Sequence, residues 1–335
     1  MKRHGNLFER IISLDNLYLA EKRARKGKSK KKEIIDYIAD LDDNIMKLHY
    51  SLRYKTYEVS DYHHFIIYEP KQRKISKLPY VDRIVHHAVI NVIGSIIINS
   101  LISQTYSCIK GRGIHKGLKT LNKYLKNKEE TKYCLKLDIQ KYYPSIPNDK
   151  LKQLFRTKFK DNDLLNLLDL IIDSHLGCPL GNYTSQFFAN FYLNKFCHWL
   201  KENKKIKYLS IYCDDIIILH SSKEFLHNLK KEIKEYLCNL SLILGKYQVF
   251  PVDSRGIDYL GYISYSTHIR LRKRIKKNYI RMITKYPNRK SLVSYKGWIL
   301  HCNGVNLQKK YNNKLKQQND KNKEKRVSKT LSNRL

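Results

Sequence analysis

The sequence predicts an α+β fold from the order of its elements, and its composition and charge bound the size of the core and the kind of partner. In the middle of the chain, segments patterned as strand, helix, hairpin, helix and strand follow one another, the order of a split β-α-β, ferredoxin-like unit. Of the 335 residues 42% are hydrophobic, enough for a real core in one large domain or two to three packed lobes. Lys and Arg number 66 against 30 Asp and Glu, a formal charge of +36. A compact fold with that excess repels itself unless a polyanion shares its surface.

The elements follow in order. Residues 21–33 form a basic run, after which Ile34, Ile35, Ile38, Leu41, Ile45 and Leu48 recur at helical spacing and predict one amphipathic helix. Tyr62 to Tyr68 is β-prone and ends at Pro70; Lys71-Gln72-Arg73-Lys74 predicts a basic turn, and Ile75 resumes the apolar pattern. Past Pro79, Ile84, Val85, Val89 and Val92 predict a long helix to about Ile102. Its apolar stretch, Ala88 to Ile102, is interrupted by Asn91, Ser95, Asn99 and Ser100, too short and too polar to span a bilayer. Gly111, Gly113 and Gly117 mark a loop into another helix. Tyr133 to Leu137 predicts a strand that delivers Asp138. Leu151 to Leu176 is helical, broken near Asp161, and Gly177 to Gly181 is a turn. Phe187, Phe188, Phe191, Tyr192, Phe196, Trp199 and Leu200 form the apolar face of a helix beyond it. Ile206 to His220 predicts two strands with Asp214-Asp215 at the hairpin tip. Phe225 to Leu240 is helical, Val249 to Phe250 and Tyr259 to Tyr265 are strands, and after Arg270 the chain is basic and helical. From Gln308 onward Lys, Asn, Gln and Arg dominate, as in a solvated tail or a nucleic-acid arm.

Nucleic acid is the first candidate for the polyanion and an anionic membrane surface the second. The 26 Tyr and 10 Phe favour nucleic acid, because aromatic faces stack on bases. The seven cysteines are scattered without a C-x-x-C pair, which argues against a zinc ribbon or a disulfide framework. Free thiols, and an N-terminus Met1-Lys2-Arg3-His4-Gly5 without an apolar signal core, lead us to expect a cytoplasmic protein.

Antiparallel central strands would set Asp138 beside Asp214 and Asp215. Each pair of carboxylates at ~4 Å costs roughly 1–4 kcal/mol, and a divalent cation reverses the sign of that term. Hard oxygen ligands with no His or Cys nearby point to Mg²⁺ or Mn²⁺.

At these residues the chain resembles a reverse transcriptase. Leu135-Lys136-Leu137-Asp138-Ile139-Gln140-Lys141-Tyr142-Tyr143-Pro144-Ser145-Ile146 is similar to polymerase motif A, and Gly177-Cys178-Pro179-Leu180-Gly181-Asn182-Tyr183-Thr184-Ser185-Gln186 to motif B. Tyr212-Cys213-Asp214-Asp215 is similar to the Y-x-D-D of motif C, Gly245-Lys246 to motif D and Tyr259-Leu260-Gly261-Tyr262 to the primer grip of motif E. Order and spacing agree over roughly residues 62 to 303. Asp82-Arg83-Ile84-Val85-His86-His87-Ala88 is shared by group II intron-like enzymes and those of diversity-generating retroelements. Leu180-Gly181, where group II enzymes usually carry Gln before the glycine, together with Ser294-Tyr295-Lys296-Gly297-Trp298, is similar to the diversity-generating type. Cys213 and Tyr183 stand where other residues are commoner.

The resemblance implies a right-hand polymerase with fingers, a ferredoxin-like palm and a helical thumb. Its expected parts are a basic helical segment over 1–60, fingers and palm over 61–265, a thumb over 266–307 and a basic tail over 308–335. It implies RNA-templated DNA synthesis with two Mg²⁺ ions, Mn²⁺ being able to substitute. Asp138, Asp214 and Asp215 would be catalytic and hold metal with the Ile139 carbonyl. Lys71, Arg73, Tyr143, Gly181, Gln186 and Lys246 would meet the nucleotide, with Tyr143 excluding a 2′-hydroxyl and Lys246 protonating pyrophosphate. Leu180 and Arg73 would set fidelity, and Leu260 and Gly261 grip the primer. Arg83, His86 and His87 read as packing or template contacts. Template RNA, a DNA or RNA primer and deoxynucleoside triphosphates are the expected partners, joined in the diversity-generating type by a small, basic, oligomeric accessory protein. Two other readings stay open: an antiphage or otherwise domesticated reverse transcriptase, and an idle RNA-binding protein on the same fold.

Overall fold

Apolar residues spaced for helices fill the first hundred positions, and the computed structural model, which describes residues 3–68, 71–285, 289–307 and 309, makes five helices of them. They are α1 (Phe8–Ile12), α2 (Leu14–Arg25), α3 (Lys32–Ala39), α4 (Leu41–Arg53) and α5 (Tyr80–Ser100). The single helix expected over 34–48 is broken at Asp40, which leaves helical geometry at φ −120°, ψ 49°. Asp40, Asp42 and Asp43 explain the break: acids are unfavourable at the end of one helix and favourable at the start of the next. In α5, Ile84, Val85, Ala88, Val89, Ile93 and Ile97 are fully buried, the Ile and Val side chains each contributing about 1.5–3 kcal/mol. Contrary to the sequence reading, Tyr80–Ser100 is long and apolar enough by length and composition to cross a membrane; two thirds of its apolar window is buried in protein, as in a core helix. α2 lies against α5, where Asn16 Nδ2 donates to Ala88 O (3.1 Å) and Tyr80 Oη to Glu21 Oε1 (2.9 Å).

Between α4 and α5, β1 (His63–Ile67) pairs antiparallel with β2 (Arg73–Lys77), Ile67 opposite Arg73. The basic turn expected over 71–74 is therefore half strand: Arg73 and Lys74 belong to β2, and Pro70 lies outside the described residues. β1 is exposed along its whole length, so this ribbon tolerates charged partners that a buried sheet would not.

The chain divides into two compact units. The first takes Met1–Gly113, Lys136–Ile218 and His227–Gln248; the second takes Ile114–Leu135, Leu219–Leu226 and Val249–Leu335. After α6 (Ile114–Leu125), β3 (Tyr133–Ile139) leads to the short α7 (Tyr142–Ser145), then α8 (Asn148–Lys158) and α9 (Asn162–Asp173). The break near Asp161 is as expected: its carboxylate caps α9 at Leu164 N (3.2 Å) and also accepts from Leu7 N (2.6 Å) and Phe8 N (3.0 Å). α10 (Ser185–Tyr192) and α11 (Asn194–His198) run into a π-helical turn, Trp199–Asn203. The expected hairpin is β4 (Tyr208–Tyr212) and β5 (Asp215–His220), followed by α12 (Lys223–Asn239) and β6 (Leu244–Pro251). The sheet order is β4-β5-β3-β6, that of a ferredoxin-like unit, so β3 and β5 are neighbours.

In the second unit α13 (Val252–Arg255) precedes an antiparallel meander, β7 (Ile257–Tyr259), β8 (Tyr262–Ser264) and β9 (Ile269–Leu271). α14 (Lys273–Lys285) and α15 (Arg289–Ile299) follow. Tyr262, Leu271, Tyr279, Ile283 and Ile299 form this unit's core with Leu118 of α6. Apart from Lys309, the tail from Gln308 lies outside the described residues.

Candidate active site

The neighbouring strands β3 and β5 carry the acids. In β3 Leu137 and Ile139 point into the core, so the residue between them, Asp138, takes the other face. The two-residue turn Cys213-Asp214 joins β4 to β5, which opens with Asp215. Asp138 and Asp214 are hydrogen-bonded to each other. Burial pushes the Asp214 carboxyl up to about 6, and the charges of Asp138 and Asp215 push the same way. Two carboxyl groups bond to each other only by sharing a proton, and a divalent cation satisfies the same oxygens without one. The pair therefore fits a cation. Asp215 acts on Asp214 through its charge, but no three His, Cys, Asp or Glu side chains converge as a metal cage among the described residues.

Gly245 of β6 supplies room at this point. A Cβ there would lie 3.0 Å from Asp138 O, 3.1 Å from Gln140 N and 3.3 Å from Asp138 Oδ2. The residue thus matters for its missing side chain, which the motif string alone does not reveal. Tyr143 follows on α7, half-buried, its hydroxyl 3.4 Å from Cys213 Sγ; burial raises its phenol above the usual range. Tyr142 beside it is a core residue, donating to Ala189 O. Cys213 Sγ also lies 2.7 Å from Ser107 Oγ, and burial pushes its thiol up to about 11. Ser107 was not legible as a site residue, since it meets Cys213 from 106 positions away.

The loop before α10 is held from two sides. Cys178 N donates to Tyr143 O (2.9 Å), and a Cβ on Gly177 (φ 70°) would stand 2.5 Å from Pro144 O. Ser76 N of β2 donates to Leu180 O (2.8 Å), and a Cβ on Gly181 (φ 136°) would stand 2.2 Å from Ser76 O. The resemblance gave Gly181 to the nucleotide. The structure gives Gly181 and Ser185 roles within the chain: Gly181 is crowded by the chain's own β2, and Ser185 is buried with its hydroxyl on Pro179 O (2.7 Å). Gln186 is half-buried in the first turn of α10.

Lys71 and Arg73 are exposed, and neither side chain makes a hydrogen bond or ion pair among the described residues. Lys246 is exposed on β6. In the second unit Leu260 (φ 53°) and Gly261 (φ 87°) form the turn between β7 and β8; Leu260 is buried and Gly261 faces Trp298. The α5 residues are packing groups: Arg83 pairs with Glu33 (3.1 Å), His86 is fully buried and His87 stacks on Tyr183 at 3.9 Å.

The family profile described as reverse transcriptase (RNA-dependent DNA polymerase) matches residues 68–264, more than half of the 335. No curated protein matches. Among solved structures the chain is similar to telomerase from Candida tropicalis in complex with the TWJ fragment of telomeric RNA, with a TM-score of 0.52 and 12% identity over 72% of this chain and 52% of that one. It is similar to apo telomerase from Candida tropicalis with a TM-score of 0.50 and 13% identity, over 62% of this chain and 48% of that one. It spans about half the length of these solved chains, and at such identity the likeness shows the fold, one consistent with right-hand polymerase architecture. With more than half its length matched, the chain belongs to the reverse transcriptase family, the RNA-directed DNA polymerases.

Proposed function

We propose that this polymerase copies an RNA template into DNA at a site built on Asp138 and Asp214, and that it misinserts opposite template adenines, as diversity-generating retroelement enzymes do. The observation that carries the site is the hydrogen-bonded pair Asp138–Asp214, set beside Asp215 in an acid-poor chain. Asp138 and Asp214 would hold Mg²⁺ or Mn²⁺ with the Ile139 carbonyl, and Asp215 adds negative charge beside them. Bound there, the metal supplies Lewis acidity toward the primer hydroxyl and the triphosphate. Tyr143, four residues into the loop and helix after β3, stands against the 2′ side of the sugar. Arg73 offers the triphosphate a bidentate fork with Lys71 beside it, and Lys246 gives a proton to pyrophosphate. Residues 61–265 act as fingers and palm, 266–307 as thumb, and Leu260-Gly261 supports the primer strand. The basic surface takes the template, the primer and, in the retroelement setting, the accessory protein.

Leu180 supports the error-prone reading. Its backbone is tied to β2, the strand that opens with Arg73, while its side chain offers packing and no hydrogen bond. A hydrogen bond lost where the nucleotide pairs is worth on the order of 1 kcal/mol, a several-fold change in discrimination. The test copies one RNA with wild type and Leu180→Gln and sequences the products. We expect frequent wild-type misinsertion opposite adenine and several-fold less in the mutant. Accurate copying of adenine by the wild type sinks the retroelement assignment and leaves a domesticated reverse transcriptase; an unchanged error rate in the mutant removes Leu180 from it.

A further inference from the structure

Tyr143 is the residue proposed to inspect the sugar, and its hydroxyl is not held by the helix that carries it. Its partner is Cys213 Sγ at 3.4 Å, in the turn that also presents Asp214. Cys213 is itself strained, at φ 54°, a conformation costing a side-chain-bearing residue about 1–2 kcal/mol. Something must hold it. The segment after α5 runs parallel to β4: Ile211 N donates to Gln104 O (3.0 Å), Tyr106 N donates to Ile211 O (3.0 Å), and Thr105 bridges to Ile211. Two positions on, that register brings Ser107 to Cys213, with Oγ 2.7 Å from Sγ. Ser107 is fully buried, and its own carbonyl accepts from Asn190 Nδ2 of α10 at 2.9 Å.

A buried hydroxyl is costly without a partner, and the partners of this one are thiols: Cys213 and, at 3.3 Å, Cys108. The three groups Ser107 Oγ, Cys213 Sγ and Tyr143 Oη stand in a row, each able to donate one proton and accept another. From these contacts we infer that Ser107 is a positioning residue for sugar selection, fixing Cys213 and through it the phenol of Tyr143. The inference rests on the reading of Tyr143 as the sugar gate. Without the Ser107 hydroxyl the strained turn loses an anchor, the phenol loses a fixed partner, and the ring yields to a 2′-hydroxyl. The carboxylates are untouched, so deoxynucleotide use continues.

The experiment extends a DNA primer on an RNA template with one deoxynucleotide or the matching ribonucleotide, and compares kcat/KM for the two. For Ser107→Ala we expect discrimination against the ribonucleotide to fall about 3- to 10-fold, the range of one lost hydrogen bond, with deoxynucleotide kcat/KM within about twofold of wild type. Cys213→Ala, which removes the middle of the relay, should do the same, and it carries the test if Ser107→Ala does not fold. In a Tyr143→Val background Ser107→Ala should add nothing, because the relay has lost its end point. Wild-type discrimination by Ser107→Ala, or an equal loss with both sugars, overturns the inference while Tyr143→Val remains permissive. Wild-type discrimination by Tyr143→Val itself overturns the gate reading and the inference with it.

Discussion

The turn between β4 and β5 and the turn between β7 and β8 each span two residues, and each begins with a side chain in the left-handed region, Cys213 at φ 54° and Leu260 at φ 53°. The backbone strain is the same, about 1–2 kcal/mol. The surroundings differ. Leu260 is buried between the buried Tyr259 and Tyr262, and Gly261 packs under Trp298. Burial of one leucine contributes about 1.5–3 kcal/mol, which offsets the strain on the spot. Cys213 touches Ser107 and Tyr143, and the next residue of its turn, Asp214, feels the like charges of Asp138 and Asp215, which add to the cost of the turn. Strain compensated locally is architecture; strain compounded by charge marks a site whose missing partner is a ligand.

The comparison breaks most easily at the carboxylates. Asp214→Asn should reduce primer extension by about 10²–10³-fold or more, the usual cost of a lost charge-stabilising group. It should also raise the melting temperature by about 2–4 °C in metal-free buffer, because a like charge has gone, an effect of about 1 kcal/mol. Activity and melting curves on the same preparation decide it. A mutant that loses activity and melts lower would mean that the pair contributes stability, and the two turns would no longer differ in kind.

The second turn should fail in the opposite way. Gly261→Ala places a Cβ 2.5 Å from Trp298 Cζ3 at φ 87°. Overpacking and backbone strain together should cost about 3 kcal/mol in denaturant unfolding. Wild-type stability would show that Trp298 moves freely, and the turn would lose its status as a packed corner.

A third test sharpens what counts as an uncompensated polar group. His86 is fully buried, and neither ring nitrogen has a hydrogen-bond partner among the described residues. Burial, with a smaller effect from His87, lowers its pKa to about 3, so the folded protein keeps it neutral. The unfolded chain protonates it near 6.5 and takes up the extra proton between there and about 3. Its contribution is therefore complete above pH 6.5 and is lost as pH falls. At pH 5 the loss is about 2 kcal/mol. Stability measured at pH 7.5 and pH 5 should show that drop, and His86→Leu should remove its share. An unchanged pH dependence in the mutant would place the titration elsewhere. Unlike Asp214, this group is neutral and at rest in its apolar niche.

Much of this was legible in the sequence, for reasons that also mark where legibility stops. Strands such as Leu209–Tyr212 and Ile216–Leu219 carry their own period, and Asp138 and Asp214 sit in strings that a reader of polymerases recognises. The broken helix at Asp40 was visible in principle, since three acids crowd its boundary, but apolar spacing runs straight through it. The β1–β2 register was not, because β1 is exposed throughout and has no buried apolar face to set the pattern. The contacts that complete the site lie further off. Ser107 on Cys213, Gly245 on Asp138 and Gly181 on Ser76 depend on how segments about a hundred residues apart come into register. No local pattern encodes such a register, and glycine announces freedom without saying which neighbour requires it.

The smallest effect tests the comparison at its root, because it asks the same substitution of both turns. Glycine adopts the left-handed region at no steric cost, so Cys213→Gly and Leu260→Gly both relieve about 1–2 kcal/mol of strain. Both also give the unfolded chain more freedom, a loss of about 0.4–1 kcal/mol. What remains is the side chain. Cys213 gives up a small group with weak thiol contacts, so its glycine variant should lie within about 0.5 kcal/mol of wild type. Leu260, 8% exposed, gives up a buried leucine, so its variant should be less stable by about 1–2 kcal/mol. The measurement is urea unfolding of both variants beside wild type, read from the midpoints at constant slope. If Leu260→Gly is the more stable of the two, the burial around Leu260 does not offset its strain, and the two turns differ only in the charges beside Cys213.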